Sequence, residues 1–325
     1  MPSGEDDLIA RYFKPLATAP GALGLTDDAA ILQAGGDDVV VTTDAIVEGV
    51  HFLPDDPPDT VARKALRVNL SDLAAKGAEP AGFVLTLALC KVSEAWLAPF
   101  ARALGEDADQ FGCPLLGGDT VSTPGPAMIS VTAFGRVPLG KMVRRGAARA
   151  GDVLVVSGTI GDATLGLAVL KGEGGPLDND AAARATLIER YRIPQPRVAL
   201  AHAVRDYASA AMDVSDGLMG DLAKLCGVSS VSAIVKAAAL PLSGPARSWL
   251  TSDHGLIARL VSGGDDYEIL CAVPENRLAA FELAARSVGV PVSAIGRIVA
   301  GEAAPRLVDA ENREIPLQRR SYSHF

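Results

Sequence analysis

The sequence predicts a mixed α/β protein of two domains. Short runs rich in valine, leucine and isoleucine alternate with stretches of helical periodicity along the chain. A length of 325 residues is enough for two domains of ordinary size. Glycine, proline and arginine concentrate near the middle, which favours a junction there. We therefore predict an N-terminal domain over residues 1–138, a junction over 139–150 and a C-terminal domain over 151–325.

The first half opens with an amphipathic helix over residues 5–16, where apolar side chains recur at helical spacing. A strand then begins at three valines, Val39 to Val41, because β-branched side chains fit a pleated sheet. The later elements follow by the same criteria. They are a helix over Pro57–Gly77, a strand over Ala81–Cys90, a helix over Ser93–Phe111, a short strand at Pro114–Leu116 and a strand over Ala127–Val137.

The second half continues the alternation of strands and helices. We predict a strand over Asp152–Val156, helices ending at Leu170 and spanning Ala181–Tyr191 and Arg197–Tyr207, a strand at Ala210–Met212, a helix through Cys226, a strand over Ile269–Val273 and a helix over Glu275–Val288. Ser215 or Asp216 is the expected N-cap of the helix through Cys226, since both residue types cap helices well.

Composition excludes several classes of function. The net charge of −9 and a pI near 5.0 argue against non-specific nucleic-acid binding, which needs a basic surface. Neither a signal peptide nor a membrane-spanning run is predicted. The four cysteines are scattered, without metal-ligand spacing, which favours a reduced, cytoplasmic setting. Cys90 and Cys271 lie in apolar runs and are expected in the core.

Acidic residues cluster at five places where a predicted strand begins or ends, often beside glycine. The clusters are Asp27-Asp28, Thr42-Thr43-Asp44, Gly117-Gly118-Asp119, Asp213-Val214-Ser215-Asp216 and Gly264-Asp265-Asp266. Side chains alternate along a strand, so Thr42 and Asp44 should share one face and Thr43 the other. Carboxylate oxygens suit Mg²⁺, which bridges them to substrate phosphates. The pattern therefore favours phosphoryl transfer.

Two further features have more than one interpretation. Asn69, Asp72 and Lys76 share a face of the predicted helix, which is either a solvated surface or part of a site. Residues 135–142 match a nucleotide-binding phosphate loop except at the last position, where Met142 replaces the Ser or Thr that would ligate Mg²⁺. We interpret this segment as unrelated to phosphate binding.

Taken together, the motifs resemble those of thiamine-monophosphate kinases. The matching segments are GLTDDAAIL (24–32), TTDAIVEGVHF (42–52), NLSDLAAKGAEP (69–80), GGDT (117–120), SGTIGD (157–162), MDVSDGL (212–218) and SGGDDYE (262–268). The resemblance implies a two-domain fold like that of aminoimidazole ribonucleotide synthetase, with N-terminal domains pairing into a homodimer. It also implies ATP-dependent phosphorylation of thiamine monophosphate to thiamine diphosphate, by direct in-line transfer with several Mg²⁺ ions.

The same resemblance implies a role for individual residues. The implied metal ligands are Asp28, Thr42, Thr43, Asp44, Asp72, Asp119, Asp213 and Asp216, of which Asp44, Asp72 and Asp119 are also the implied catalytic residues. The implied ATP contacts are Gly118, Asp119, Arg144 and Ser215. The implied substrate contacts are His51, Asp265 and Tyr322.

Three positions depart from the family pattern. Asp265 replaces a glutamate, Thr26 replaces a glycine, and Ala101 stands where some members have a tyrosine near the adenine. Two alternatives are another superfamily enzyme acting on a different small phosphorylated metabolite and a non-catalytic Mg·ATP-binding regulator. Selenophosphate synthetase would need a reactive cysteine near the N-terminus, whereas the first cysteine is Cys90. A regulator would be expected to have lost several metal carboxylates, and every matched one is present.

Overall fold

The computed structural model describes residues 9–20, 35–173, 175–253, 255–319 and 321. The start of the predicted first helix, Asp28 and Tyr322 lie outside them. The chain divides into two compact units, the first comprising Met1–Leu73 and Ala78–Lys141, the second Ala74–Gly77 and Met142–Phe325. Both contain strands and helices, which confirms the predicted mixed α/β class.

The first part of the chain begins with a π-helical turn at Ile9–Phe13 and a 3₁₀ turn at Lys14–Leu16. The regular elements that follow are β1 (Asp38–Val47), α1 (Pro58–Ala75), β2 (Glu79–Leu89), α2 (Glu94–Phe111), β3 (Leu115–Ser122) and β4 (Met128–Val137). Helix α2 begins where the Ser93 hydroxyl accepts a hydrogen bond from the Trp96 N–H, and it ends at Gly112 in a left-handed conformation.

Within the described residues, these strands form a four-stranded sheet in the order β1-β4-β2-β3. Strand β3 runs parallel to β2, and the other pairs are antiparallel. Val131 and Leu85 lie in one row of the sheet and are buried. The neighbouring row contains Thr43 and Thr132, which remain accessible on the opposite face. The sheet therefore buries one face and leaves the other open.

Two strands extend further than the sequence predicts. Pairing of β1 with β4 continues through Ala45 and Ile46 to Val47, so Asp44 lies inside the strand and not at its end. Strand β3 likewise continues to Ser122 and contains Asp119. The prediction of strand ends at these two acids is wrong, because the apolar residues beyond them continue the hydrogen-bonded ladder.

The second unit is built on a larger sheet. Its elements are β5 (Val153–Ser157), α3 (Asp162–Leu170), α4 (Ala181–Arg192), α5 (Ala201–Tyr207), β6 (Ala210–Val214), α6 (Leu218–Ser229), β7 (Val231–Lys236), α7 (Gly244–Ser252), α8 (Leu256–Ser262), β8 (Glu268–Val273), α9 (Leu278–Ser287), β9 (Val292–Ala300) and β10 (Arg306–Val308). In the described residues the sheet has six strands in the order β10-β7-β9-β5-β8-β6, and its core is almost entirely aliphatic. The predicted helix over Arg197–Tyr207 begins as a 3₁₀ turn and is α-helical only in α5.

Three other expectations can be compared with the fold. Cys271 is buried as predicted, but Cys90 is exposed, because it lies just past the end of β2. No helix follows the phosphate-loop-like segment; the next helical turn in the described chain is a 3₁₀ turn at Arg145–Ala147. None of the described helices is both long enough and apolar enough to cross a membrane.

Candidate active site

In the first unit, β1 and α1 bring three of the predicted residues together. The Thr42 hydroxyl donates a hydrogen bond to Asp72 Oδ2 over 2.5 Å. The backbone N–H of Asp44 donates to Asn69 Oδ1 at 3.0 Å, and Asn69 is itself fully buried. The Asn69–Asp72 face of α1 therefore packs against β1, which excludes a solvated surface there. Thr42 and Asp44 share a face, as the alternation along the strand predicts.

Thr43 points to the other face of the sheet. Its hydroxyl donates to the Val131 carbonyl oxygen at 3.2 Å and accepts from the Thr132 hydroxyl at 3.0 Å. Its side chain is thus used in pairing β1 with β4. Any contact of Thr43 with a ligand beside Asp44 would have to come from its backbone.

The donor atoms of this cluster fit a hard cation. The Thr42 hydroxyl and the Asp44 and Asp72 carboxylates offer oxygen, the element that Mg²⁺ prefers. Within the described ranges, no three His, Cys, Asp or Glu residues converge closely enough to hold a metal by themselves. Mg²⁺ usually keeps several waters and completes its shell with substrate phosphates.

His51 is held in a defined orientation in the loop between β1 and α1. Its Nδ1 atom accepts a hydrogen bond from the Val47 N–H at 3.0 Å, so the neutral ring carries its proton on Nε2. The buried Lys64 donates through Nζ to the His51 carbonyl oxygen at 2.8 Å. Lys64 is a positioning residue that sequence reasoning missed, because a lysine on a helix is ordinarily solvated.

Gly118 and Asp119 lie on β3, away from the Thr42–Asp72 pair. Gly118 is in register with Leu85, and a Cβ atom there would lie 1.9 Å from the Leu85 carbonyl oxygen. Asp119 is exposed and accepts from the Thr120 N–H at 2.8 Å. Strands β1 and β3 are opposite edges of the sheet, roughly 14 Å apart at about 4.8 Å per strand.

Asp119 also lies on the opposite face from Asp44. It is in register with Thr86 and Ser130 of the open face, whereas Asp44 is in register with the buried Val131. Within this unit, Asp119 therefore does not lie with Asp44 on β1 and Asp72 on α1.

In the second unit, the loop after β6 is organised by an acid outside the predicted set. Asp221 is fully buried, and its Oδ2 atom accepts the N–H groups of Ser215, Asp216 and Gly217 at 3.0, 2.9 and 3.2 Å. The predicted N-cap role of Ser215 or Asp216 is wrong: α6 begins after Gly217, without a side-chain cap. Asp221 replaces that cap from inside the helix. The available signal was one acid in the apolar stretch Leu218–Leu222.

The side chains of this loop are also constrained. Asp213 is buried at the end of β6. Lys224 donates to Asp216 Oδ2 at 2.5 Å and to Asp221 Oδ1 at 2.8 Å. Burial raises the pKa of Asp221 above its ordinary value, and the bond from Lys224 opposes that shift.

A second loop, residues 263–267, lies directly against the first. The N–H groups of Asp265 and Tyr267 donate to the carbonyl oxygens of Ser215 and Val214, both at 2.8 Å. Asp265 and Tyr267 both have positive φ, 71° and 51°. Asp266, between them, is buried and accepts the Gly161 N–H with both oxygens. Burial raises the pKa of the Asp266 carboxyl well above its ordinary value.

Glu268 anchors the end of that loop at the start of β8. It is fully buried and accepts from Arg190 at 2.8 Å, from Arg197 at 2.5 and 2.6 Å, and from the Ser157 hydroxyl at 2.6 Å. A buried carboxylate needs such partners, because removing it from water is otherwise costly. The motifs SGTIGD and SGGDDYE thus meet in a structural network.

The remaining predicted residue in this unit is Arg144. Its side chain is exposed, and its carbonyl oxygen accepts the N–H of Ala211 at 3.4 Å, which ties it to β6 two residues before Asp213. Asp28 and Tyr322 lie outside the described residues.

Comparison with known proteins identifies relatives of both halves of the chain. Residues 26–137 match the N-terminal domain of AIR synthase related proteins, and residues 149–306 match the C-terminal domain. The chain is 49% identical to a thiamine-monophosphate kinase of Caulobacter vibrioides, over 93% of this chain and 86% of that protein.

Two solved structures are also similar to this chain over most of its length. The thiamine-monophosphate kinase of Stenotrophomonas maltophilia K279a superimposes with a TM-score of 0.84 at 37% identity, covering 95% of this chain and 96% of that one. AaThiL, complexed with AMPPCP and TMP, superimposes with a TM-score of 0.78 at 28% identity, covering 92% and 91%.

Proposed function

This chain belongs to the thiamine-monophosphate kinases of the AIR synthase related family, and on that premise we propose that it transfers the γ-phosphoryl group of ATP to thiamine monophosphate, giving thiamine diphosphate. The similar AaThiL structure holds AMPPCP, an ATP analogue, together with TMP. The observation in this chain that carries the proposal is the Thr42–Asp72 contact on β1 and α1, with Asp44 beside it. It places hard oxygen ligands where phosphates could be bound through cations.

Magnesium is the cation that these residues fit. When bound, it would neutralise phosphate charge and orient the transferred group. The residues that would hold several such ions are Asp28, Thr42, Thr43, Asp44, Asp72 and Asp119 in the first unit and Asp213 and Asp216 in the second, with Thr43 acting through its backbone and Asp119 apart from Asp44 and Asp72. The protein's own contribution is positioning: the Thr42 hydroxyl bonds directly to the Asp72 carboxylate, and Asn69 holds the backbone N–H of Asp44.

ATP would be bound by Gly118, Asp119, Arg144 and Ser215. Gly118 has no room for a side chain beside the Leu85 carbonyl, so its contact with ATP would come from its backbone. Arg144, with an exposed guanidinium, suits bidentate contact with a phosphate. We propose direct in-line transfer, in which catalysis comes mainly from positioning and from charge neutralisation.

Thiamine monophosphate would be bound by His51, Asp265 and Tyr322. The neutral His51 ring offers Nε2–H as a donor suited to a phosphate oxygen. Asp265 is a carboxylate suited to the thiazolium charge or to the aminopyrimidine donors of the substrate. An aromatic such as Tyr322 could add a cation–π contact.

The open face of the first sheet supports a homodimer. Val39, Val41 and Val121 are 37%, 57% and 43% exposed on this face, and Asp119 lies on it too. A second copy is the occupant we propose, because pairing identical faces would cover the valines symmetrically. Val41→Lys should therefore give monomers in analytical ultracentrifugation. Val228→Lys, at an exposed valine of the second unit, should leave the dimer intact; a dimeric V41K protein would contradict the assignment.

The four cysteines, none of them in a disulfide, support placement in a reducing compartment such as the cytoplasm.

The decisive experiment incubates the protein with ATP and thiamine monophosphate and follows both products by mass spectrometry. One ADP should form for each thiamine diphosphate, and only when Mg²⁺ is present. ATP chiral at the γ-phosphorus should give product of inverted configuration, as expected for direct transfer; retention would indicate a phosphoenzyme. Binding of ATP without turnover would favour the regulator, and turnover only with another phosphorylated metabolite would favour a different superfamily enzyme.

A further inference from the structure

Asp221 lies near the start of α6 and is hydrogen-bonded to the loop before that helix. Its carboxylate is completely buried, and it bonds both to the loop before α6 and to Lys224 of the same helix. One oxygen accepts three consecutive backbone N–H groups, those of residues 215–217, and the other accepts the Lys224 ammonium. Three donors on a single oxygen fix the path of three consecutive peptide groups.

Lys224 extends this control to a side chain. Its ammonium bridges Asp221 Oδ1 and Asp216 Oδ2. The buried carboxylate thereby sets the backbone of the loop directly and the Asp216 side chain through Lys224. Bonds between charged partners are the stronger ones, so the arrangement resists displacement.

The constraint reaches the neighbouring loop through backbone contacts. Asp265 and Tyr267 each donate an N–H to the first loop. A Cβ atom on Gly264 would lie 2.4 Å from the Ser215 carbonyl oxygen, and one on Gly217 would lie 2.8 Å from the Ser262 carbonyl carbon. Because neither glycine leaves room for a side chain, the two loops pack directly against each other, and a shift of one should displace the other.

We propose that Asp221 is a positioning residue that sets residues 213–217 for ATP and, through the paired loops, Asp265 for thiamine monophosphate. The proposal rests on the function proposed above. It predicts that substitution of Asp221 alone raises the KM for ATP and the KM for thiamine monophosphate, although Asp221 is remote in sequence from Asp265.

The test is Asp221→Asn in the full-length protein. An amide has one acceptor and one donor group, so it cannot both accept the three N–H groups and face an ammonium. We expect the KM for ATP to rise at least tenfold and the KM for thiamine monophosphate several-fold. A tenfold change in affinity corresponds to about 1.4 kcal/mol of binding free energy. Hydrogen exchange at the amides of residues 215–217 should accelerate at least tenfold.

Asp152→Asn is the matched control. Asp152 is also a buried acid of the second unit and accepts the Arg149 N–H at 2.9 Å and the Ser209 hydroxyl. Its substitution should lower Tm while leaving both KM values unchanged. Equal KM changes in the two variants at equal Tm would overturn the proposal, as would unchanged KM values in Asp221→Asn or unchanged amide protection despite raised KM values.

Two measurements remain decisive if the variant does not fold or the proposed reaction fails. In the wild-type protein without ligands, the amides of residues 215–217 should exchange at least a hundredfold more slowly than unprotected amides. Free exchange would overturn the proposal. Calorimetric titration with AMPPCP measures nucleotide binding without turnover. An inactive wild-type protein would contradict the proposed function. The AMPPCP affinities of the wild type and of Asp221→Asn would still show whether Asp221 positions the loop.

Discussion

In the first unit, Asp44 and Asp72 lie on a strand and a helix, whereas in the second unit Asp216 and Asp265 lie on loops. Asp72 is oriented by the Thr42 hydroxyl, and the backbone of Asp44 is held by the strand and by Asn69. The second pair depends on buried carboxylates that accept backbone N–H groups. Regular elements satisfy their own amides, but loop amides need outside partners.

This difference predicts that the two units respond differently to substitution of an acid. Removing a charge in the first unit should leave the geometry intact and impair chemistry alone. Removing a carboxylate that supports the loops should alter geometry first and chemistry only as a result. The substitutions below test that separation, from the largest expected effect to the smallest.

The largest effect is expected at Asp72 and Asp44. Asp72→Asn keeps an oxygen that can accept the Thr42 hydroxyl but removes the charge that would hold Mg²⁺. The turnover number should fall about a hundredfold or more, with Tm nearly unchanged, and Asp44→Asn should behave alike. Steady-state kinetics and thermal unfolding measure both.

Asp59→Asn, in the first turn of the same helix, is the charge-matched control and should remain active. Near-normal turnover in Asp72→Asn, or full activity of the wild type in EDTA, would defeat the metal assignment.

The next effect concerns Asp265, whose positive φ restricts the useful substitutions. Asparagine tolerates this conformation well, so Asp265→Asn removes the charge while keeping the backbone. The KM for thiamine monophosphate should rise about tenfold or more, as expected for losing a charge-assisted bond, and the KM for ATP much less. Asp265→Glu, which restores the family's longer arm, should be tolerated or improve binding. An unchanged KM for thiamine monophosphate in Asp265→Asn would place the pocket elsewhere.

A smaller effect is expected where the chain resembles a phosphate loop. Arg144→Ala should raise the KM for ATP about tenfold, because a guanidinium contact to phosphate is lost. Lys141→Ala should leave turnover within a few-fold, since in the described chain no α-helix begins directly after Lys141, as a phosphate loop requires. Loss of turnover in Lys141→Ala alone would mean that the nucleotide is placed wrongly.

The smallest effect is a pH-dependent change of stability at Asp266. Its raised pKa means that the folded protein holds this proton more tightly than the unfolded chain does. The free energy of unfolding therefore falls as pH rises above the ordinary pKa of 3.8 towards the folded value. Asp266→Asn keeps an acceptor for the Gly161 N–H without that loss.

The variant's Tm should match the wild type near about pH 4 and exceed it by a few degrees near about pH 8. Calorimetry at several pH values measures the difference. A constant Tm difference across this range would show that Asp266 does not titrate as its burial requires.

Local sequence patterns were enough to predict much of the secondary structure and the faces on which side chains lie. The three valines of β1 and the alternation that places Thr42 opposite Thr43 are confirmed by the sheet. The helical stripe over residues 57–77 predicted α1 to within two residues at each end. Such patterns are legible because side-chain periodicity follows directly from backbone geometry.

What the sequence could not supply was which acids are buried and which partners they find. For Asp221 the sequence offers only the apolar stretch around it. Asp266 looks like a surface acid, yet it accepts the amide N–H of Gly161, 105 residues away. The separation of Asp119 from Asp44 likewise depends on strand order and register. Periodicity fixes the face on which a side chain lies, whereas burial and long-range pairing arise only when distant segments pack together. The tertiary structure alone therefore decided which carboxylates remain exposed and which hold the loops.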